Sequence, residues 1–152
     1  EGHVQIVQTL LTRDDIDVNK PQKDGTTPLY IASQNGHLQI VQTLLTRDDI
    51  DVNKPEEDGC TPLWMAAQEG HVQIVQTLLT RDDIDVNKHN NKNQTPLNWA
   101  SYQGHVEVVR LLLSQPNIDL NKKDDWNKTA LGWATQKNCT EIVQLLTETG
   151  AE

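Results

Sequence analysis

Apolar and polar residues follow two rhythms along this chain, and the rhythms take turns. Leu38, Ile40, Val41, Leu44 and Leu45 return at helical spacing, with Gln39, Gln42 and Thr46 on the other side, which predicts a short amphipathic helix. Just before it, Leu29, Ala32 and Ser33 share one face of another predicted helix, whose small residues let a neighbouring helix come close. Thr27 stands at its N-cap and Pro28 at its first position, where a missing N–H is harmless. Asn35-Gly36 ends it, Gly36 being free to turn left-handed. After Arg47-Asp48-Asp49 the period drops to two. Ile50-Asp51-Val52-Asn53 alternates as an extended segment, and Lys54-Pro55-Glu56 leads into a turn at Glu57-Asp58-Gly59. Both helices are too short to be stable alone, so packing must hold them.

The same text returns every 34 residues. Gly-His pairs stand at Gly2-His3, Gly36-His37, Gly70-His71 and Gly104-His105. Thr-Pro-Leu stands at Thr27, Thr61 and Thr95, with Thr129-Ala130-Leu131 one period later. Repetition at this period predicts an all-α repeat solenoid: stacked helix-turn-helix units with projecting β-hairpin loops, each unit burying its apolar face on its neighbours. The expected division is a partial unit at 1–22, full units at 23–56, 57–90 and 91–124, and a final unit at 125–152. A chain that opens at Glu1 inside a half unit is expected to be a piece of a longer array or protein.

Composition narrows the classes. A formal net charge of -9 argues against nucleic acid or an anionic membrane surface as partner, and favours encounter with a basic protein. No apolar run approaches the roughly 18 residues that span a bilayer. Cys60 and Cys139 share no motif and are expected as free thiols in a reducing, intracellular, cytoplasmic setting. Phe is absent, so Leu, Ile, Val and Ala must fill a thin core.

The residues quoted above resemble the ankyrin repeat: Asp24-Gly25, Thr27-Pro28-Leu29, Ala32, Gly36-His37-Leu38, Ile40-Val41, Leu44-Leu45 and Asp51-Val52-Asn53. The period also fits a tetratricopeptide array, but that repeat lacks the Thr-Pro-Leu start and the Asp-Val-Asn hairpin and has longer helices. Against the ankyrin pattern, Arg47-Asp48-Asp49-Ile50 carries one extra residue and no Gly, so Asp49 or Asn117 is expected to take a strained corner position. The His that usually follows Thr-Pro-Leu is replaced by Tyr30, Trp64, Asn98 and Gly132, which removes the usual histidine brace of the hairpin. The last unit has Asn138-Cys139 for Gly-His and Ala130 for Pro.

Residues 36–54 and 70–88 differ only at Leu38 against Val72, and 2–20 repeats 70–88 completely. The stretches 21–35, 55–69 and 89–103 diverge. The resemblance places that divergent strip, hairpin tips and first helices, on the concave face where the family binds proteins. Its expected partner-binding residues are Tyr30, Ile31, Met65, Trp99, Tyr102, Trp126 and Trp133, since aromatic side chains bury much area with few rotors. Trp64 is expected to pack inward, Trp99 and Trp133 to face the groove, and Trp126 to stand exposed at a hairpin tip. Lys20, Lys54, Lys88 and Lys122 make a row along the fingers, and Arg13-Asp14-Asp15 with its copies makes another at the opposite corner. The Asp pairs are expected to face water with little to perturb them.

No nucleophile elbow, phosphate loop or metal-ligand spacing stands in the sequence, so no enzyme, cofactor or metal is expected. His3, His37, His71 and His105 are expected to cap or brace a turn. The leading expectation is a monomeric protein-interaction scaffold. A regulatory or targeting segment of a larger enzyme or channel is the alternative. A third reading comes from the resemblance: the Asn of Asp-Val-Asn is a hydroxylation target in some ankyrin proteins, which implicates Asn19, Asn53 and Asn87, each eight residues after Leu11, Leu45 or Leu79.

Overall fold

The computed structural model describes residues 2–13 and 15–152, without the side chains of Gly2 and His3. Expectations that fall on Glu1, Asp14 and the His3 side chain lie outside the described residues. Nine helices form among the described residues: α1 (Gly2–Leu11), α2 (Pro28–Gln34), α3 (Leu38–Leu44), α4 (Pro62–Glu69), α5 (Val72–Leu78), α6 (Pro96–Gln103), α7 (Val106–Leu113), α8 (Ala130–Gln136) and α9 (Thr140–Glu148).

Local sequence explains their ends. The hydroxyls of Thr27, Thr61, Thr95 and Thr129 each accept the backbone N–H three residues on, at 3.1–3.2 Å, which satisfies one otherwise orphaned donor per helix. The cap works at α8 even where Ala130 replaces proline. At the far end Gly36, Gly70 and Gly104 adopt positive φ, and Asn138 takes the same left-handed conformation in the last unit, where its short polar side chain is tolerated.

The helices stack in two rows. One row runs α2, α4, α6, α8; the other runs α1, α3, α5, α7, α9, and the two rows pack on each other through α2 with α3, α4 with α5, α6 with α7 and α8 with α9. Equivalent residues meet between them: Leu29, Leu63 and Leu97 in the first row, and Val41, Val75 and Val109 in the second, are all fully buried. Each such leucine contributes about 2 kcal/mol of transfer free energy. Ala32, Ala66, Ala100 and Ala134 keep the first row close. Val18, Val52 and Val86 seal the base of each finger.

The fingers contain no strand among the described residues. Each is a loop closed at its root by a backbone pair such as Glu56 N–H to Cys60 O at 3.1 Å, and successive fingers are tied by bonds such as Asn91 N–H to Asp58 O at 2.8 Å and Asn91 Nδ2–H to Glu57 O at 2.9 Å. The expected extended alternation still holds in burial, with Ile50 and Val52 inside and Asp51 outside.

The corner differs from expectation. Neither Asp49 nor Asn117 takes a positive φ. The extra residue lets the chain turn at 48–49 without strain, and Arg47 holds that turn by forking onto Asp49, with Nε–Oδ1 at 2.9 Å and Nη2–Oδ2 at 3.0 Å. Arg13–Asp15 and Arg81–Asp83 repeat the fork. The second Asp of each pair is therefore perturbed, contrary to expectation: hydrogen bonding to the guanidinium pulls Asp15, Asp49 and Asp83 below the ordinary carboxylate range.

Candidate functional site

The face shared by the fingers and the α2–α4–α6–α8 row carries a continuous aromatic ladder. Trp64 from α4 meets Trp99 from α6 at 5.5 Å between ring centroids, Trp99 meets Tyr102 at 5.1 Å, Tyr102 meets Trp133 from α8 at 5.1 Å, and Trp133 meets Trp126 from the last finger at 6.2 Å. All four contacts are edge-to-face, the arrangement that ring quadrupoles favour. Trp99 and Trp133 occupy equivalent positions one period apart, which is why the stack can pass from unit to unit.

The expected site residues fall at different depths. Trp126 is 52 % exposed, while Ile31, Trp99, Tyr102 and Trp133 are half-buried. Tyr30 and Met65 are buried, so they line the floor of the face rather than project from it. Trp64 packs inward.

Three lysines cover the rings: Lys137 Nζ lies 4.1 Å from the Tyr102 centroid, Lys128 Nζ 5.3 Å from Trp133, and Lys92 Nζ 5.7 Å from Trp126. Asp124 organises this end. It is buried, accepts the Trp133 indole N–H on Oδ2 at 2.7 Å, and accepts the N–H groups of Trp126 and Lys128 on Oδ1 at 3.0 Å. Neither the lysine cover nor Asp124 was singled out by sequence pattern. The spacing of Asp124 and Trp133, nine residues apart across a turn and a cap, gives no periodic signal.

A cavity of about 280 Å³ opens toward the other end, between the fingers at 56–60 and 90–94, with Tyr30, Trp64, Met65 and Trp99 among its walls. Burial, then the charge of Glu56, pushes the Cys60 thiol up to about 12. Burial, then the charges of Glu56, Cys60, Asp58 and Asp24, likewise raises the Tyr30 phenol.

The missing histidine brace is rebuilt by other donors. From the same position in their units, Trp64 Nε1–H donates to Gln94 O at 2.9 Å and Asn98 Nδ2–H to Lys128 O at 3.3 Å. The histidines of the Gly-His pairs brace a different junction: Nε2 of His71 lies 3.0 Å from Gln34 O, and that of His105 lies 2.8 Å from Gln68 O. The side chains of His37, His71 and His105 do not cap their own helices.

Asn19, Asn53 and Asn87 staple successive units. Each donates Nδ2–H to a backbone carbonyl of the next corner (Asp49, Asp83, Asn117) at 2.6–2.7 Å and accepts a backbone N–H (Asp51, Asp85, Asp119) on Oδ1 at 2.8 Å. In the lysine row, Lys54 donates to Asn19 O at 3.0 Å. Both cysteines are free. Among the described residues no cluster of His, Cys, Asp or Glu could hold a metal ion, and no helix is long and apolar enough to cross a membrane.

The family model for ankyrin repeats, which spans three copies, matches residues 1–90 and again residues 83–152. No curated protein matches the chain.

Proposed function

The chain belongs to the ankyrin-repeat family, and from that premise we propose that it is a non-catalytic scaffold that binds a protein through its concave face of finger tips and first-row helices. Ankyrin repeats are generally protein-interaction modules and are typically not catalytic. The observation that carries the proposal is the aromatic ladder from Trp64 to Trp126, which crosses three units on one face. Large rings with one wet edge are the residues in which binding energy concentrates. A chain with no need of an interface would gain little by exposing Trp126 at a fingertip. The charged groups beside the rings and the cavity divide, with Asp24, Glu56 and Asp58 around Tyr30 and Lys92, Lys128 and Lys137 over the C-terminal rings. That polarity favours one orientation of a bound segment, its basic part toward the N-terminal fingers.

The test compares three proteins as bait: the unchanged chain, the triple variant Trp99→Ala/Trp126→Ala/Trp133→Ala, and Gln42→Glu/Gln76→Glu on the opposite row. Circular dichroism establishes that each is folded. Loss of captured proteins with the triple variant alone supports the reading. Capture undiminished in a folded triple variant removes it.

A further inference from the structure

The cavity between the fingers at 56–60 and 90–94 has chemistry unlike the rest of the ladder. Glu56 is locked, because Oε2 accepts the Asp58 N–H and Oε1 the Cys60 N–H, both at 2.9 Å. The Asp58 carboxylate beside it is exposed and accepts no hydrogen bond among the described residues. One anion is therefore fixed in place and a second is free to close on a ligand. Tyr30, only 5 % exposed, lines the same space, and its hydroxyl has no hydrogen-bond partner among the described residues. Trp99 Nε1 is buried without a partner as well. The Trp64 and Trp99 rings supply apolar walls. Lys92 also borders the cavity, but its ammonium lies over Trp126 and so faces the C-terminal end. Burial first, then Glu56, Asp58 and Asp24, resist a phenolate at Tyr30, and those carboxylates favour a cation in the same space.

We propose that this cavity is a subsite for an arginine side chain of an extended partner segment, with Asp58 and Glu56 facing the guanidinium, the half-buried Trp99 ring against its plane and Trp64 beneath. It rests on the concave-face reading and names the chemistry of one contact within it. Arginine fits better than lysine because its flat, weakly hydrated head stacks on rings and still presents donors at its edge to carboxylates and to the Tyr30 oxygen.

The four indole N–H signals of the ¹⁵N-labelled chain, assigned with Trp→Phe variants, report on the two ends of the face separately. The probes are acetyl-Gly-Ser-Arg-Ser-Gly-amide and its Glu counterpart at millimolar concentration. The Arg peptide is expected to move the Trp64 and Trp99 signals saturably and the Glu peptide to leave them in place. Asp58→Asn, at an exposed position outside the fold's packing, is expected to weaken the Arg peptide about tenfold, the scale of one charge-assisted hydrogen bond. Tyr30→Phe serves as a second variant and is expected to weaken it less. Equal response to both peptides, an unchanged affinity in Asp58→Asn, shifts confined to Trp126 and Trp133, or no shift at all would each overturn the subsite. The concave-face reading stands or falls separately, on capture by the triple Trp variant.

Discussion

Asn53 grips the next unit through the backbone on either side of Ile84: Oδ1 accepts the Asp85 N–H at 2.8 Å, and Nδ2–H reaches the Asp83 carbonyl at 2.6 Å. Both partners are main-chain groups at an exposed corner, so water replaces the carboxamide when it is removed. Asn53→Ala is expected to cost about 2 kcal/mol, the net scale of two intramolecular hydrogen bonds exchanged for water. Asn121→Ala should cost about half as much, because its Oδ1 meets the single N–H of Glu152 near the chain end. Urea unfolding of the two variants checks the ranking. Equal losses would mean that the staple adds nothing beyond one hydrogen bond.

Gly70 and Gly104 share a positive φ, 73° and 82°, so alanine strains the backbone similarly at both, by about 1 kcal/mol. They differ in what lies beyond. A Cβ on Gly70 would stand 2.7 Å from ring atoms of His105, whereas one on Gly104 would meet only Cys139 Sγ at 3.4 Å. Gly70→Ala must therefore displace His105 from Gln68 O and is expected to lose about 1 kcal/mol more than Gly104→Ala. Thermal melts of the two variants measure the difference. Matching melts would remove the histidine brace from the account of stability.

Much of this architecture is legible one unit at a time. The threonine caps, the Pro28 start and the buried Leu29, Leu63 and Leu97 follow from rules that act within a few residues of each other. What escapes such rules is contact across about one period, since it depends on how far one unit is translated on the next. Trp64 and Asn98 look like departures from the family pattern, yet each finds a carbonyl 30 residues on. The Arg47–Asp49 fork was hidden for another reason: residues two apart meet only after the turn at 48–49 exists, and nothing in the charges themselves specifies that turn. The ladder is half visible in the sequence. Its members stand out there as single rings, while the edge-to-face continuity, the lysines above it and Asp124 beneath it emerge from packing.

The two thiols should separate cleanly toward alkylation. The thiolate is the reacting form, and Cys60 is buried and pushed up to about 12, so little of it is ionised at pH 8. Cys139 is half-exposed at the start of α9. Iodoacetamide at pH 8 is expected to add one group, at Cys139, to the folded chain and two groups in urea. Intact mass and peptide mapping give the answer. Fast labelling of Cys60 in the folded chain would mean that the finger at 56–60 opens readily.

Trp64 does two jobs that one substitution can divide. Its ring fills the floor under Trp99, and its Nε1–H is the second donor, beside the Asn90 N–H, to the Gln94 carbonyl of a buried residue at the root of the next finger. Trp64→Phe keeps an apolar ring but removes the donor and leaves a void where the larger indole stood. The Gln94 carbonyl keeps the Asn90 N–H at 3.0 Å, so the lost indole bond accounts for about 1 kcal/mol and the lost volume for about 1 kcal/mol more. Trp64→His returns an N–H at the position where ankyrin repeats usually carry histidine, while losing more of the ring area. If the finger depends on the hydrogen bond, amide exchange at Gln94 and Asn90, which pair at the finger's root, should accelerate in Trp64→Phe and recover in Trp64→His even though global stability does not. If both variants exchange alike, the indole acts here only by filling space, and the brace read from its 2.9 Å contact contributes nothing to holding the finger.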